Sequence, residues 1–412
     1  MIIPLTPLMF LRRAAKLYPN KTAVVCGMER FTYQQFNKRV HQVSQLLSSL
    51  DIKPGTVVAY LSRNCHRLLE AYYGVLQVGA ILLPLNVRLT AQDFLYILNH
   101  SEANLLLLEK EFLPLITKIR PELLQVQGFI LLDGNPSKNW LHPLSYEHAI
   151  RETSPEPFPE SILNENSVAE LFYTSGTTAR PKGVMLTHRN LYLHALGVIF
   201  ALNNRDTDVH LHTIPLFHAN GWGTTHSITC VGGTHVMLRH FRPKTVLELL
   251  DQEAITSVNL VPTMATMLLN YHGTKKNRLR SLRLIHMGGS PVPSAMVQQL
   301  EAAFGCECSC GYGLTETSPV LTVSLIKSHI QENGDTHYQR AAMTGLELPG
   351  SEIRVVDQLG RDVPPDGKTV GEIVAKSNVV MKGYWKQPEE TARVLKKGWF
   401  HTGDLATIDS EG

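Results

Sequence analysis

The chain has 412 residues, 43% of them hydrophobic and 18% charged, with a net charge of +3 at pH 7. That length calls for two or three packed units rather than one minimal core, and the composition is that of an ordinary soluble globular protein. The near-neutral charge suggests neither the basic footprint of a nucleic-acid binder nor an acidic partner.

No run of 18 apolar residues occurs, so no transmembrane segment is expected. The apolar start is interrupted by Pro4 and Pro7 and followed by Arg12 and Arg13, which is not the order of a secretory signal. Cysteines at Cys26, Cys65, Cys230, Cys306, Cys308 and Cys310 are too sparse for a disulfide framework and point to reduced thiols in the cytosol. The last three alternate, so a strand would turn all of them to one buried face; zinc needs a fourth ligand that is not evident.

The first third alternates strands and helices. Thr6-Pro7 starts a helix, and Thr32 with Gln35 makes a capping box ahead of Phe36, Val40, Val43, Leu47 and Leu50. Pro54-Gly55 ends that helix. A strand from Val57 to Leu61, a helix from Arg67 to Val78, a strand from Ile81 to Leu85 and a helix after Thr90 follow. Leu105 to Leu108 and Phe129 to Leu132 are further short apolar runs. Such runs between helices are strands buried on both faces of a parallel sheet, a doubly wound α/β unit. Residues 134–160 are rich in turn formers and are expected on the surface.

The densest stretch comes next: YTSGTTARPKG, Tyr173 to Gly183. Small residues let a backbone approach an anion, and consecutive N–H groups in such a bend cradle phosphate. Thr174, Ser175, Thr177 and Thr178 add hydroxyls around Gly176, while Arg180 and Lys182 add charge. An apolar strand leads in and a helical pattern from His188 leads out, a setting phosphate loops favour. The Walker spacing G-x-x-x-x-G-K-[ST] is absent. Strand candidates at His210–Ile214, Thr234–Leu238, Thr256–Leu260, Arg283–Met287 and Cys306–Cys310 then indicate a second α/β unit. His210 and His212 read as structural. From about Ala341, period-two alternation and recurrent turns indicate a small antiparallel β unit.

In order, the chain carries YTSGTTARPKG, HANGW (His218 to Trp222), GGSP (Gly288 to Pro291), GYGLTET (Gly311 to Thr317), TGLELPG (Thr344 to Gly350) and WFHTGDL (Trp399 to Leu405), preceded by FTYQQF at Phe31 and PLNVRL at Pro84. Together these resemble the adenylate-forming superfamily of acyl-CoA synthetases, luciferases and peptide-synthetase adenylation domains, most closely the fatty and aryl acid:CoA ligases. The resemblance implies the large domain of such enzymes: two packed doubly wound α/β subdomains (1–165 and 166–340) plus a small antiparallel, β-barrel-like subdomain (341–412). The family continues into a hinge and a C-terminal lid that carries the adenylation lysine and completes the CoA site. The sequence stops at Gly412 within what reads as a β hairpin, so a lidless domain with weak or no overall ligase activity is the expectation.

The implied chemistry is attack of a carboxylate on the α-phosphorus of ATP, giving an acyl-adenylate and pyrophosphate, then transfer to CoA. A transition state that gathers negative charge needs donors and a cation around it. By resemblance, Thr174, Ser175, Gly176, Thr177, Thr178 and Lys182 surround the β- and γ-phosphates, and Thr174 and Glu316 hold Mg²⁺ as hard oxygen ligands. Thr315 would donate to the α-phosphate and Tyr312, between Gly311 and Gly313, would stack on adenine. The backbone at Gly289, Ser290 and Pro291 would line the base, and Asp404 would accept from the ribose. For the acid, His218 would lie beside the carboxylate, with Gly221, Trp222, Met264, Gly288 and Gly313 shaping the acyl pocket. Medium- or long-chain fatty acids are the first choice of substrate, with aryl acids such as benzoate or cinnamate next. IPLFHANGWG holds no carboxylate to pair an ammonium, which argues against amino acids. Transfer to a carrier protein and a non-catalytic nucleotide-binding module remain as alternatives, and a homodimer is compatible with the sequence. Hydride transfer is excluded, because Glu316 stands where the third glycine of G-x-G-x-x-G belongs. Ala179, where the family often has glycine, stiffens the loop.

Overall fold

The computed structural model describes residues 3–134, 144–159, 163–174, 180–272, 280–330 and 334–412. Among them, three sheets organise the chain. The first runs in the order Gly383–Tyr384, Lys182–Thr187, Val168–Thr174, Ile81–Pro84, Val57–Leu61, Leu105–Leu108, Gly128–Leu131, Leu144–Ser145, and is parallel from Val168–Thr174 onward. The second has a parallel centre of Glu307–Gly313, Leu284–Met287, Ser257–Leu260, Val209–His212, Thr234–Met237 and Thr22–Cys26, edged by antiparallel strands. The third is antiparallel: Ser351–Val356, Gly371–Ser377, Trp399–Ala406, Leu395–Lys396. This is the mixed α/β architecture expected of the large domain of adenylate-forming ligases.

Short apolar runs become central strands because helices cover both faces: every residue of Val57–Leu61, Ile81–Pro84 and Leu105–Leu108 is buried. The capping box at Thr32 starts helix Tyr33–Ser49, with Gln35 N–H donating to Thr32 Oγ1 at 3.2 Å and Thr32 N–H to Gln35 Oε1 at 2.8 Å. Cys306, Cys308 and Cys310 are all buried on the core of the second sheet.

Sheet membership does not follow the division of the chain at 165/166. Thr22–Cys26 crosses to pair with Thr234–Met237, and Val168–Thr174 with Lys182–Thr187 completes the first sheet. Gly383–Tyr384 also joins that sheet, beside Lys182–Thr187. Parallel partners are joined by long crossovers, so neighbours in sequence do not dictate neighbours in a sheet. The turn-rich segment before the phosphate-loop motif is not wholly superficial either. Residues 135–143 and 160–162 lie outside the described residues, but helix Tyr146–Arg151 buries Tyr146 and Ile150, and Tyr146 Oη donates to Glu70 at 2.5 Å. Turn formers flank a short anchoring helix there.

One ion pair staples the second sheet. Asp208, 1% exposed, accepts from Arg283 Nε at 2.8 Å and Nη2 at 2.6 Å, from Thr256 Oγ1 at 2.7 Å and from the Arg205 N–H at 2.8 Å. Burial alone would raise this carboxyl; the donors outweigh it and hold its pKa below the ordinary aspartate value. A lowered folded-state pKa gives stability that is complete above the unfolded value and lost as pH falls through the folded one. Asp208→Ala leaves Arg283 without its carboxylate, held by the Leu202 and Asn203 carbonyls alone and with a side chain 28% exposed. It should therefore cost about 3 kcal/mol, the low end for a broken buried pair, read as a lower denaturation midpoint in guanidinium.

Candidate active site

The site starts at a hairpin. Val168–Thr174 pairs antiparallel with Lys182–Thr187, Thr174 opposite Lys182. The bend Ser175, Gly176, Thr177, Thr178 and Ala179 lies outside the described residues. The helix expected from His188 is present as His188–Leu202, capped by Thr187; the strand Lys182–Thr187 that precedes it was not expected.

Lys182 ties the hairpin to its surroundings. Its Nζ lies 2.6 Å from Glu390 Oε2, donates to Asn166 O at 3.2 Å and stands 5.1 Å over the ring of Tyr384. Tyr384 Oη donates to Glu316 Oε1 at 2.9 Å. Glu316 sits on the 3-10 turn Thr315–Thr317, its main-chain oxygen accepting from the Met381 N–H at 2.8 Å. The acid at 316 is thus partly buried against the closing strand of the hairpin, not turned to bulk water. Burial raises its pKa above the ordinary glutamate value and Asp404 adds to this, against the Tyr384 hydrogen bond and Lys182. A half-buried carboxylate with one side-chain donor and a hydroxyl at Thr174 are donors of the hard type Mg²⁺ takes, so these residues fit the ion the resemblance implies.

On the adjoining strand, Tyr312 Oη donates to Asp404 Oδ2 at 2.7 Å, joining the GYG and GDL motifs across the junction with the third sheet. Burial raises the phenol's pKa and keeps it a neutral donor. The flanking glycines are there for space: a Cβ at Gly311 would sit 2.8 Å from Thr322 O and the His286 ring, and one at Gly313 would overlap the Pro319 carbonyl. Gly289, Ser290 and Pro291 form an exposed rim beyond Leu284–Met287, and Thr315 opens the turn that carries Glu316.

The HANGW motif makes a left-handed loop. Ala219, Asn220, Gly221, Trp222 and Gly223 have φ of 38°, 46°, 65°, 62° and 82°. Only two are glycine, so outside contacts must hold the other three in a region that costs about 1–2 kcal/mol per residue. Trp222 consequently lies against Gly288 and Gly289, whose Cβ positions would be 3.5 Å from its six-membered ring, and edge-on to His286 at 6.3 Å. His218 remains accessible within its concave surroundings. Its partial dehydration, helped by Arg88, lowers its pKa to about 4, so the imidazole is neutral at physiological pH. Met264 lies on the wall of a cavity of about 290 Å³, with Arg88, Thr213, Pro215 and Phe217.

Three participants went unread in the sequence. Tyr384 stands in a turn-rich stretch with nothing to mark it. Asn220 lies inside a recognised motif but was given no role. Glu170 interrupts the apolar run VAELFYT, and an acid there was the one available signal. His210 and His212 are structural: His210 Nδ1 meets Ser257 Oγ at 2.9 Å and His212 Nε2 meets His235 Nδ1 at 2.8 Å. Among the described residues, no group of His, Cys, Asp or Glu side chains is arranged to hold a metal ion by itself.

These features find their class by comparison with known proteins. The family model for the AMP-binding enzyme matches residues 11–385, and the chain belongs to that family. Its relatives are acid–CoA ligases. It is 37% identical over 413 residues to a long-chain-fatty-acid–CoA ligase of Thermus thermophilus, covering 98% of this chain and 75% of that one. It is 35% identical over 425 residues to a peroxisomal butyrate–CoA ligase of Arabidopsis thaliana, covering 100% and 74%. Its structure matches the inhibitor-bound N-terminal domain of FACL13 from Mycobacterium tuberculosis with a TM-score of 0.88 and 27% identity, covering 99% and 98%. No described helix is long and apolar enough to cross a membrane.

Proposed function

We propose that this chain binds ATP and a carboxylic acid side by side and joins them as an acyl-adenylate, for transfer of the acyl group to CoA. The observation that carries the reading is the chain of contacts from Lys182 through Tyr384 to Glu316, with Tyr312 and Asp404 beside it. In this reading the 174–182 bend, with Lys182 exchanging Glu390 for phosphate, holds the triphosphate. Thr174 and Glu316 hold Mg²⁺, and Thr315 meets the α-phosphate. Tyr312 and the Gly289–Pro291 rim take adenine, and Asp404 the ribose. When bound, Mg²⁺ neutralises charge that develops on the phosphates. Neutral His218 is a hydrogen-bonding partner for the acid rather than a fixed cation.

The acid we favour is short or flat rather than long. The support is the indole of Trp222 packed against Gly288 and Gly289, residues expected to shape the acyl pocket, which would shorten that pocket. Medium- and long-chain fatty acids, the expectation from sequence, require that indole to swing away; likeness to the Thermus ligase is the observation in their favour. A stable acyl-adenylate mimic, acyl-sulfamoyl-adenosine, tests the reading without requiring turnover. With butyryl or benzoyl as acyl group it should bind at least about 100-fold tighter than AMP by calorimetry. Equal affinities would leave only a nucleotide-binding module.

A further inference from the structure

We infer that Glu170, buried at the core of the first sheet, is a positioning residue that sets the acid-binding loop in register with the phosphate hairpin. Glu170 is 0% exposed and sits on Val168–Thr174, four residues before Thr174. Its Oε2 accepts from Asn220 Nδ2 at 2.8 Å and its Oε1 faces His226 Nε2 at 2.8 Å. Asn220 and His226 are equally buried, at 0% and 1%. The other end of the Asn220 amide, Oδ1, accepts from the Gly223 N–H at 2.8 Å. One side chain thus spans the left-handed turn and fastens it to a carboxylate on the strand that runs into the phosphate bend.

The neighbouring contacts share this direction. Tyr72 Oη donates to Leu216 O at 2.6 Å and Tyr73 Oη to Thr225 O at 3.1 Å, and both rings meet His226 edge-on. Asn64 Nδ2 donates to His212 O and Ile214 O, while its Oδ1 accepts from the Leu216 N–H. The segment carrying His218 and Trp222 belongs by connectivity to the second sheet, yet the layer of the first sheet grips it. Glu170 is the acidic member of that grip and the one on the same strand as Thr174. An unpaired carboxylate so deep in the core would be costly, and an apolar residue would pack there without orienting anything. Glu170 earns its place by direction: it fixes which way Asn220 points, hence the loop's handedness, and so how Trp222 meets Gly288 and Gly289.

This rests on the acid-activating reading, and the test separates the two. Glu170→Gln keeps an oxygen for Asn220 and offers an N–H to the His226 ring, whose Nδ1 has no partner and is free to take the proton. Glu170→Leu keeps the volume and removes both contacts. Asn220→Gly keeps a residue at ease with φ near 46° but cuts the clamp, so it serves if the leucine variant does not fold. In Glu170→Leu and Asn220→Gly, amide hydrogen exchange at Gly223 should accelerate at least about tenfold while the central strands stay protected. Affinity for the acyl-adenylate mimic should fall about tenfold or more with AMP affinity within about twofold, and Glu170→Gln should restore both readouts. Unchanged exchange at Gly223, equal weakening of AMP and mimic, or a glutamine variant as impaired as the leucine one overturns the assignment. A parent chain that binds AMP and mimic alike sinks the ligase reading, and the exchange data still decide the role of Glu170.

Discussion

Glu316→Gln should abolish the Mg²⁺ dependence of ATP binding, leave AMP binding within about twofold, and lower acid-dependent pyrophosphate exchange, where it is measurable, by about 10²–10³. In the proposed reading the carboxylate stands where charge must be neutralised, and glutamine keeps its shape and its acceptor for Tyr384 Oη but not its charge. The same substitution carries a second signature that a purely structural residue would not give. Burial raises the Glu316 pKa, so the folded protein binds this proton more tightly than the unfolded chain. Stability therefore falls as pH rises from the ordinary carboxylate range through that raised value, a cost borne by the ligand-free fold. The glutamine variant should melt above the parent at pH 7, with the difference closing below about pH 4. Mg²⁺-ATP should reverse the order by stabilising the parent alone. A melting point at pH 7 below the parent's, or Mg²⁺-dependent ATP affinity intact, would count against the role given to Glu316.

Much of this was legible because local chemistry decided it. Thr32 and Gln35 announce a helix whatever surrounds them, and runs such as Leu105–Leu108 have no place but a covered sheet. The order of motifs grouped Tyr312 with Asp404, and the fold brings the two into hydrogen-bond contact. What could not be read depends on distant partners. The crossing of Thr22–Cys26 to Thr234–Met237 is a choice among sheets that many apolar strands would satisfy. Strand Lys182–Thr187 was hidden because its partner precedes the phosphate bend and a helix pattern follows directly. The Glu170–Asn220 contact joins residues 50 apart through one hydrogen bond, and Tyr384 meets Glu316 across 68. Motifs name the groups that touch ligand; the residues that aim them leave a weaker mark.

Trp222→Ala should change which acid is chosen more than whether one is. The indole lies along Gly288 and Gly289, 3.5 Å from where their Cβ atoms would be, so the ring packs directly on the backbone that is proposed to shape the acyl pocket. Removing it exposes apolar wall from Gly288 toward the buried cluster of Val198, Leu284, Val320 and Val323, against which the indole packs. Each methylene that enters such a wall is worth about 0.8 kcal/mol. Four more methylenes, from a butyryl to an octanoyl mimic, give about 3 kcal/mol, or about 10² in affinity, if the cavity is long enough to receive them. The butyryl mimic should lose about tenfold, because its tail then faces an unfilled space. A calorimetric series from four to twelve carbons, compared between parent and variant, reads this as a shift of the optimum to longer chains. Should the parent already prefer ten or twelve carbons and the variant show the same profile, the indole is a swinging door rather than a floor, and the choice passes to residues deeper in the fold. The packing of the indole against Gly288, Gly289 and the apolar cluster around Leu284 and Val320 argues for the floor. The clamp at Asn220 by Glu170 holds the loop backbone, so any displacement of the ring with the clamp intact has to come from the side-chain torsions of Trp222. Combining Trp222→Ala with Glu170→Leu decides it: if the clamp acts only by holding the indole, the double variant should show the acyl profile of Trp222→Ala alone.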